Sequence, residues 1–332
     1  MKINIKEHEI HLKHTFRTTH GASDSKKVLV VDIDGGLGEA PPVHYYGEDP
    51  NTVRNFVDKA AGILGDDPFA LEAINDKLDK LAAFNYSAKA AIDMALHDLV
   101  GKKLGIPIYR YFGITPRNDL ATSYTISISD PDSMKKQTEE APGYHVYKVK
   151  VGVPGDIEMA AAVRDATKAR IRVDANEGWT LKEAISRIRE LEKLDIEFIE
   201  QPLHRDDFDG FRILRSRVDM PIIADEGVFR ACDIPKYVGL VDGINIKLSK
   251  SGGIREALKM INVARAHRMK IMIGCMVETS VGITAAAQIA SLADYADLDG
   301  NILISDDPYA GVTVEKGYLK LPEGSGLGVK ER

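Results

Sequence analysis

After about residue 120, short apolar segments alternate with segments whose apolar residues recur at helical spacing. Such alternation is the pattern of strands that are each followed by a helix. Eight strands are predicted, over residues 123–128, 146–151, 171–176, 196–201, 222–226, 244–248, 271–275 and 295–301. Eight strands alternating with helices are typical of a closed barrel, so the sequence predicts an α/β fold of the TIM-barrel type. An open, doubly wound sheet is the competing architecture.

The first third of the chain has a different pattern, which predicts a separate α+β unit. Residues 3–12 alternate as a strand and residues 28–33 form a second strand. The intervening residues 16–25 are polar and have no period, which predicts a loop. Helices are predicted over residues 52–64, from Asp67-Pro68 onward, and over residues 87–104.

These patterns divide the chain into three parts. We expect an α+β domain over residues 1–115 and a barrel over residues 116–308. Residues 309–332 hold a hairpin that turns at Lys316-Gly317, followed by a glycine-rich loop. This C-terminal segment is too short to be a domain, and we expect it to pack on one of the other two parts.

Five successive barrel strands end on a charged residue, which is unusual for buried strands. In order, the endings are Lys150, Asp174, Glu200, Asp225 and Lys247. An unpaired buried charge costs several kcal/mol or is neutralised, so these groups need common partners. They converge at the mouth of a barrel but spread out along an open sheet, and this favours the barrel.

The three carboxylates predict a metal site. Asp174, Glu200 and Asp225 supply only oxygen ligands, which suit Mg²⁺. Each acid alone is more often the cap of the following helix, but three at the same point of the repeat favour shared ligation. Asn176 and Glu226 lie beside the three acids, and we expect them to orient the ligands from outside.

The lysines that flank the acids predict acid–base chemistry. Lys148 and Lys150 lie on one face of their strand, where Lys150 is closer to the strand end and Lys148 can reach a substrate carboxylate. Lys247 ends the sixth strand, and Lys250 has the pattern of a loop cation. The alternative for the first two is a pair of surface lysines that extend their amines into solvent.

The ends of strands seven and eight add candidate substrate contacts. Cys275, Met276 and Glu278 follow strand seven, and Asp297 and Asp299 share one face at strand eight. The two aspartates suit an ammonium group, with helix capping as the alternative. Cys275 lacks a histidine motif that would indicate a nucleophile and is expected to fill space.

Composition narrows the function classes. The chain has 332 residues with a net charge of −6 and no basic block, which argues against nucleic acid as a partner. No apolar run is long enough to cross a membrane, and the N-terminus does not have the pattern of a signal peptide. Two cysteines offer no disulfide framework, so a cytoplasmic location is expected.

These motifs resemble those of the enolase superfamily, muconate-lactonizing subgroup. The matching pieces are Lys148-Val149-Lys150, Asp174-Ala175-Asn176, Glu200-Gln201-Pro202, Asp225-Glu226, Lys247 and the helical segment 91–102. Asp297-Leu298-Asp299 and Gly274-Cys275-Met276 are similar to the dipeptide epimerase branch, typified by L-Ala-D/L-Glu epimerase. The resemblance implies an N-terminal α+β capping domain over a (β/α)7β barrel, with the C-terminal segment returning to the cap.

The same resemblance implies a function. It implies one Mg²⁺ per subunit on the three acids and a small dipeptide substrate whose ammonium group is held by Asp297 and Asp299. It implies that Lys150 and Lys247 exchange a proton on opposite faces of the C-terminal residue's α-carbon, through a metal-stabilised enediolate. Members of this family often form homo-oligomers.

One departure from the family pattern affects the choice of dipeptide. Members specific for a C-terminal glutamate often carry an arginine in the loop after the first strand. Here Gly21 stands where that arginine is expected, and Arg17, Lys26 or Lys27 are the candidate replacements. We therefore expect that small or apolar side chains are also accepted.

Other functions remain open on the sequence. The same site suits a cycloisomerase, or an o-succinylbenzoate synthase/N-acylamino acid racemase, whose substrates lack a free ammonium group. A Schiff-base aldolase would use one lysine covalently and no metal. A binding or scaffold protein would have no need for the complete set of charged strand ends.

Overall fold

The computed structural model describes residues 1–332, and the predicted fold class is confirmed. The N-terminal part is an antiparallel sheet packed on helices. Its elements are β1 (Ile3–Thr18), β2 (Gly21–Ile33), β3 (Gly36–Ala40), a 3₁₀ turn (His44–Tyr46), α1 (Pro50–Ala60), α2 (Leu71–Leu81), α3 (Tyr86–Leu104) and α4 (Ile108–Tyr111). The strands pair in the order β1-β2-β3.

The loop predicted over residues 16–25 is wrong, because β1 and β2 form one long hairpin. Their pairing shifts register between His11 and Phe16 and then continues to the pair Thr18 and Gly21. Most residues of this outer part of the hairpin are exposed or half-buried. A strand without a buried face has no alternating pattern, so the sequence did not reveal it.

Helix α3 is the centre of the capping part and is buried on all sides. Residues 87–101 are buried without a break, and a helix that is enclosed all round has no polar stripe. The helix contacts β3 on one side and the short barrel helix Leu248–Ser251 on the other. It therefore joins the cap to the barrel.

The barrel consists of eight parallel strands with helices outside. Its elements are β4 (Tyr124–Ile126), α5 (Pro131–Glu140), β5 (Val146–Lys150), α6 (Asp156–Ala166), β6 (Arg170–Asp174), α7 (Leu181–Glu192), β7 (Ile196–Glu200), α8 (Phe208–Arg215), β8 (Ile222–Ala224), α9 (Ile234–Tyr237), β9 (Gly243–Lys247), α10 (Leu248–Ser251), α11 (Ile254–Ala266), β10 (Lys270–Gly274), α12 (Ser280–Ala290) and β11 (Tyr295–Asp297). The strands pair in sequence order from β4 to β11. A bridge between Thr122 and Ala296 brings the first and last strands together.

The C-terminal segment holds β12 (Tyr309–Ala310), β13 (Thr313–Glu315), β14 (Tyr318–Lys320) and β15 (Lys330–Glu331). The hairpin β13–β14 turns at Lys316-Gly317 as predicted. Beyond it, the backbone N–H of Ile108 donates to the carbonyl of Gly326, and that of Leu327 donates to Asp98 of α3. The segment thus binds the cap. No helix of the protein is both long and apolar enough to cross a membrane.

Candidate active site

The charged strand ends meet at one end of the barrel. Lys150 pairs in register with Asp174, and Asp174 pairs with Glu200. Asp225 follows β8 directly, and all three acids are fully buried. Because parallel strands end at the same edge, the three carboxylates that the sequence singled out lie side by side.

Lys148 is the central cation of this group. Its Nζ lies 3.0 Å from Asp174, 2.8 Å from Glu200 and 2.7 Å from Asp297. Burial alone would lower the pKa of this lysine, but the surrounding carboxylates raise it well above its usual value. Lys148 is therefore held as an ammonium ion that links two of the three acids to Asp297.

Lys150 and Lys247 stand on opposite sides of the barrel mouth. Lys150 lies 2.6 Å from Asp174, and Lys247 lies 2.8 Å from Asp225. Their strands, β5 and β9, are four positions apart in an eight-stranded sheet. Half of the ring therefore separates them, and a molecule at the centre meets one amine from each side.

Lys250 is a member of the site that the sequence interpretation missed. It is buried rather than a loop cation, and its Nζ donates to both the backbone carbonyl and the carboxylate of Asp225. It lies on the short helix α10, one turn beyond Lys247. Strand periodicity stops at Lys247, so no pattern in the sequence pointed to Lys250.

Amide side chains orient the carboxylates from outside. Asn245 donates to Glu200 over 2.8 Å, and Gln201 accepts from the backbone N–H of Asp225 over 2.8 Å. Asn176 donates to Glu226 over 2.9 Å, as expected for two residues beside the acids. Asn245 lies two residues before Lys247 on the same strand face, a spacing that could have identified it.

The composition of the site fits a divalent cation. Six buried carboxyl groups face four buried ammonium groups: Asp174, Glu200, Asp225, Glu226, Asp297 and Asp299 against Lys148, Lys150, Lys247 and Lys250. With all ten ionised, the group carries two excess negative charges, which one Mg²⁺ would balance. Burial, followed by the charge of Asp174, raises the pKa of Glu200 to about 7. Glu200 therefore holds a proton more readily than a solvated glutamate does.

The donor atoms also fit. Glu200 Oε2 and Asp225 Oδ2 are buried without a hydrogen-bond partner, although each lies 2.8 Å from a lysine amine. No three acidic, histidine or cysteine side chains already surround a common point as metal ligands. The reason is that the amine of Lys148 lies between Asp174 and Glu200. A cation between Asp174 and Glu200 would therefore have to displace the amine of Lys148.

A pocket of about 490 Å³ lies between these strand ends and the cap. Lys148, Lys150, Lys247, Asp297 and Asp299 line it. So do seven further residues that the sequence indicated, namely Gly21, Lys26, Lys27, Asn176, Glu226, Cys275 and Met276. The volume is in the range of small-molecule sites.

Asp297 and Asp299 differ in the partners that their carboxylates already have. Asp297 accepts from Lys148 and from Ser123. Asp299 accepts from the backbone N–H of Thr125 but has no cation within ion-pair distance. Burial and the charge of Asp297 raise the pKa of Asp299 to about 6. Asp299 is thus the aspartate that is free to pair with an incoming ammonium group.

Two predicted contact residues are not brought to the pocket. Arg17 is exposed and lies on the outer face of β1, because its neighbours Phe16 and Thr18 point inward. Glu278 is buried below the pocket, where it accepts from the backbone N–H of Met276. Cys275 borders the pocket, and burial raises the pKa of its thiol well above the usual value, which does not suit a nucleophile.

Family models match both parts of the chain. Residues 2–113 match the mandelate racemase/muconate lactonizing enzyme N-terminal domain, and residues 133–331 match the enolase C-terminal domain-like family. The chain belongs to the enolase superfamily. This confirms the resemblance drawn from the strand-end motifs.

Within the enolase superfamily, the similar proteins include dipeptide epimerases. The L-Ala-D/L-Glu epimerase of Bacteroides thetaiotaomicron is 40% identical, over 99% of this chain and 88% of that protein. The hydrophobic dipeptide epimerase of Enterococcus faecalis is 37% identical, over 99% of this chain and 98% of that protein. A crystal structure of the dipeptide epimerase from Enterococcus faecalis with Mg and L-Leu-L-Tyr superposes with a TM-score of 0.93, at 36% identity and 99% coverage of both chains.

Proposed function

We propose that this enolase-superfamily protein is a Mg²⁺-dependent dipeptide epimerase that inverts the α-carbon of the C-terminal residue. The arrangement that carries the proposal is a pair of lysines on opposite sides of one pocket, above three buried acids and beside Asp299. The names of the similar proteins support the same reaction class.

The positions of the groups define how a dipeptide would lie. Its α-carboxylate belongs near Asp174, Glu200 and Asp225, on β6 to β8. Its ammonium group belongs at Asp299, which follows β11 on the other side. The α-carbon of the second residue then lies between the amines of Lys150 and Lys247.

Each lysine has one task in this arrangement. One neutral amine removes the α-proton, and the opposite ammonium returns a proton to the other face, which inverts the carbon. A single base would return the proton to the face from which it came. When bound, Mg²⁺ supplies positive charge that stabilises the negative charge developing on the substrate carboxylate.

Lysine substitutions in D₂O test the proposal. The wild-type protein with Mg²⁺ should convert an L,L-dipeptide to the L,D form with deuterium at the α-carbon of the second residue. K150A and K247A should each lower the epimerisation rate by about 10²–10⁴-fold, because each removes one acid–base group. Each variant should still exchange the α-proton of one configuration, a different one in the two variants, which NMR can follow.

The outcome also separates the remaining alternatives. Absence of exchange with every dipeptide, in the presence of Mg²⁺, would refute the epimerase. An N-acylamino acid racemase would act on N-acylated amino acids, which lack the ammonium group that Asp299 is proposed to hold. D299N should therefore reduce kcat/KM for dipeptides but not for N-acylated substrates. D297A is a poorer probe than D299N, because it also deprives Lys148 of a partner.

A further inference from the structure

The β1–β2 hairpin crosses the mouth of the pocket and is fixed at its middle and at its tip. In the middle, the N–H of Lys13 donates to the carbonyl of Leu303 over 2.9 Å, and that of Ser305 donates to the carbonyl of His11 over 2.8 Å, beside the segment that follows β11. At its tip, Thr19 donates to the carbonyl of Asn176 after β6. Different parts of the hairpin therefore cover different parts of a bound dipeptide.

Lys26 lies midway along this hairpin, on the side that faces the barrel. It is paired with Ile10 on β1 and lies two residues before Val28, so it shares their strand face. Ile10 and Val28 are fully buried against Val277 and Ile304, which follow β10 and β11. The side chain of Lys26 is thus on the side of the pocket where Asp299 lies, and it lines the pocket.

Lys26 is the lysine of this pocket that has no acidic partner. The other pocket lysines each have a carboxylate within ion-pair distance, including the adjacent Lys27, which lies 3.3 Å from Glu7. Lys27 belongs to the opposite face of β2. Lys26 is exposed at the rim of the pocket, and partial loss of water around its amine lowers its pKa.

The proposed substrate pose places the first residue of the dipeptide below Lys26. The ammonium group at Asp299 and the α-carboxylate over β6 to β8 leave the first side chain under the middle of the hairpin. We propose that Lys26 selects dipeptides whose first residue carries a side-chain carboxylate. This inference rests on the proposed epimerase function. It assigns the charge preference to a residue of β2, and not to Arg17 on the paired strand β1.

The charge preference can be isolated with substrates of equal size. L-Asp-L-Leu and L-Asn-L-Leu are nearly equal in size but only the first has a side-chain charge, and the wild-type protein should favour it by about 10-fold or more in kcat/KM, as for a charged hydrogen bond. In K26M the ratio of the two values should fall to about one. In K27M the ratio should stay at the wild-type value, since that amine pairs with Glu7. Taking a ratio cancels any general loss of activity.

Three results would overturn the inference. The first is equal kcat/KM for the two substrates in the wild-type protein, and the second is an equal change of ratio in K26M and K27M. The third is a Lys26-dependent preference for L-Leu-L-Asp over L-Leu-L-Asn, which would place the second residue, not the first, below the amine. Failure of the epimerase function itself is distinguishable, because then neither neutral nor acidic dipeptides would exchange deuterium.

Discussion

The four buried lysines at the strand ends each lie against a carboxylate, and these ion pairs fix the positions of their amines. Lys148 lies among Asp174, Glu200 and Asp297, whereas Lys247 and Lys250 share Asp225. A buried charge whose partner is removed is strongly destabilising, by about 3–5 kcal/mol. The cations and anions of the site therefore have to be considered together.

Lys250 provides a test of this balance. K250M should lower the free energy of unfolding in EDTA by about 3 kcal/mol, because it leaves Asp225 with one ammonium partner instead of two. Adding Mg²⁺ should then raise the Tm of K250M by more than that of the wild type, since the cation restores the missing positive charge. Thermal unfolding with and without Mg²⁺ measures both effects.

K236M is the matched control. Lys236 pairs with Asp233 over 2.8 Å at the surface, where an ion pair is worth at most about 1 kcal/mol. Its removal should leave both the stability and the Mg²⁺ response near the wild-type values. Equal Mg²⁺-induced shifts of Tm in K250M and the wild type would contradict the charge balance described for the site.

At the scale of elements, the contact between β3 and α3 sets how closely the sheet of the cap approaches its central helix. A Cβ atom on Gly38 would overlap the carbonyl oxygen of Ala91 and lie 2.7 Å from the N of Ala95. Backbone lies against backbone here, and only glycine leaves the space. The contact matters for the site because β3 leads into residues 41–46, which line the pocket.

The glycine contact predicts that G38A is destabilising. The methyl group must push β3 away from α3, which should lower the free energy of unfolding by about 1–3 kcal/mol. Urea unfolding followed by circular dichroism measures the change. In G62A the new Cβ meets nothing closer than the carbonyl oxygen of Lys59 at 3.8 Å, so its stability should not fall. Equal stability of the two variants would contradict the close contact.

At the scale of the whole molecule, buried carboxyl groups of the cap bind the N-termini of barrel helices. Glu39 of β3 accepts from the N–H of Thr279 and of Gly282 at the start of α12. Asp93 of α3 accepts from the N–H of Ile254 at the start of α11. A helix N-terminus carries partial positive charge and free N–H groups, so it suits these carboxyl groups. The two parts of the chain are thereby held in one orientation.

Glu278 lies just before α12 and close to Glu39, and its protonation makes the stability of the protein sensitive to pH. Burial and the charge of Glu39 raise its pKa to about 8, from 4.5 in the unfolded chain. Between these values the folded protein retains a proton that the unfolded chain has released. Stability should therefore fall as pH rises across this window, by up to about 1.4 kcal/mol per pH unit.

E278Q should make this slope less steep, because an amide releases no proton. The remaining slope comes from groups such as Glu39, whose pKa burial raises to about 7. Urea unfolding at a series of pH values from about 4.5 to about 8 measures the slope. E323Q, at an exposed position, should retain the wild-type slope. An unchanged slope in E278Q would show that Glu278 is not the group that holds the proton.

The sequence by itself determined the barrel and the chemistry at its strand ends. Strand ends at Lys150, Asp174, Glu200 and Lys247 are local properties, since an apolar run and its charged last residue are adjacent in the chain. Once the strands are parallel and neighbouring, their ends must meet. The residues of the pocket floor could therefore be predicted before any contact was known.

Only the tertiary structure decided which groups are paired and which are free. Residues 16–25 of the hairpin have no buried face, so their sequence shows no alternation of apolar and polar residues. Lys250 lies on α10, beyond the end of its strand. Whether Arg17, Lys26 or Lys27 faces the pocket depends on the register between β1 and β2 and on the position of Glu7. Such choices depend on contacts between residues distant in sequence, which the periodicity of a single strand does not contain.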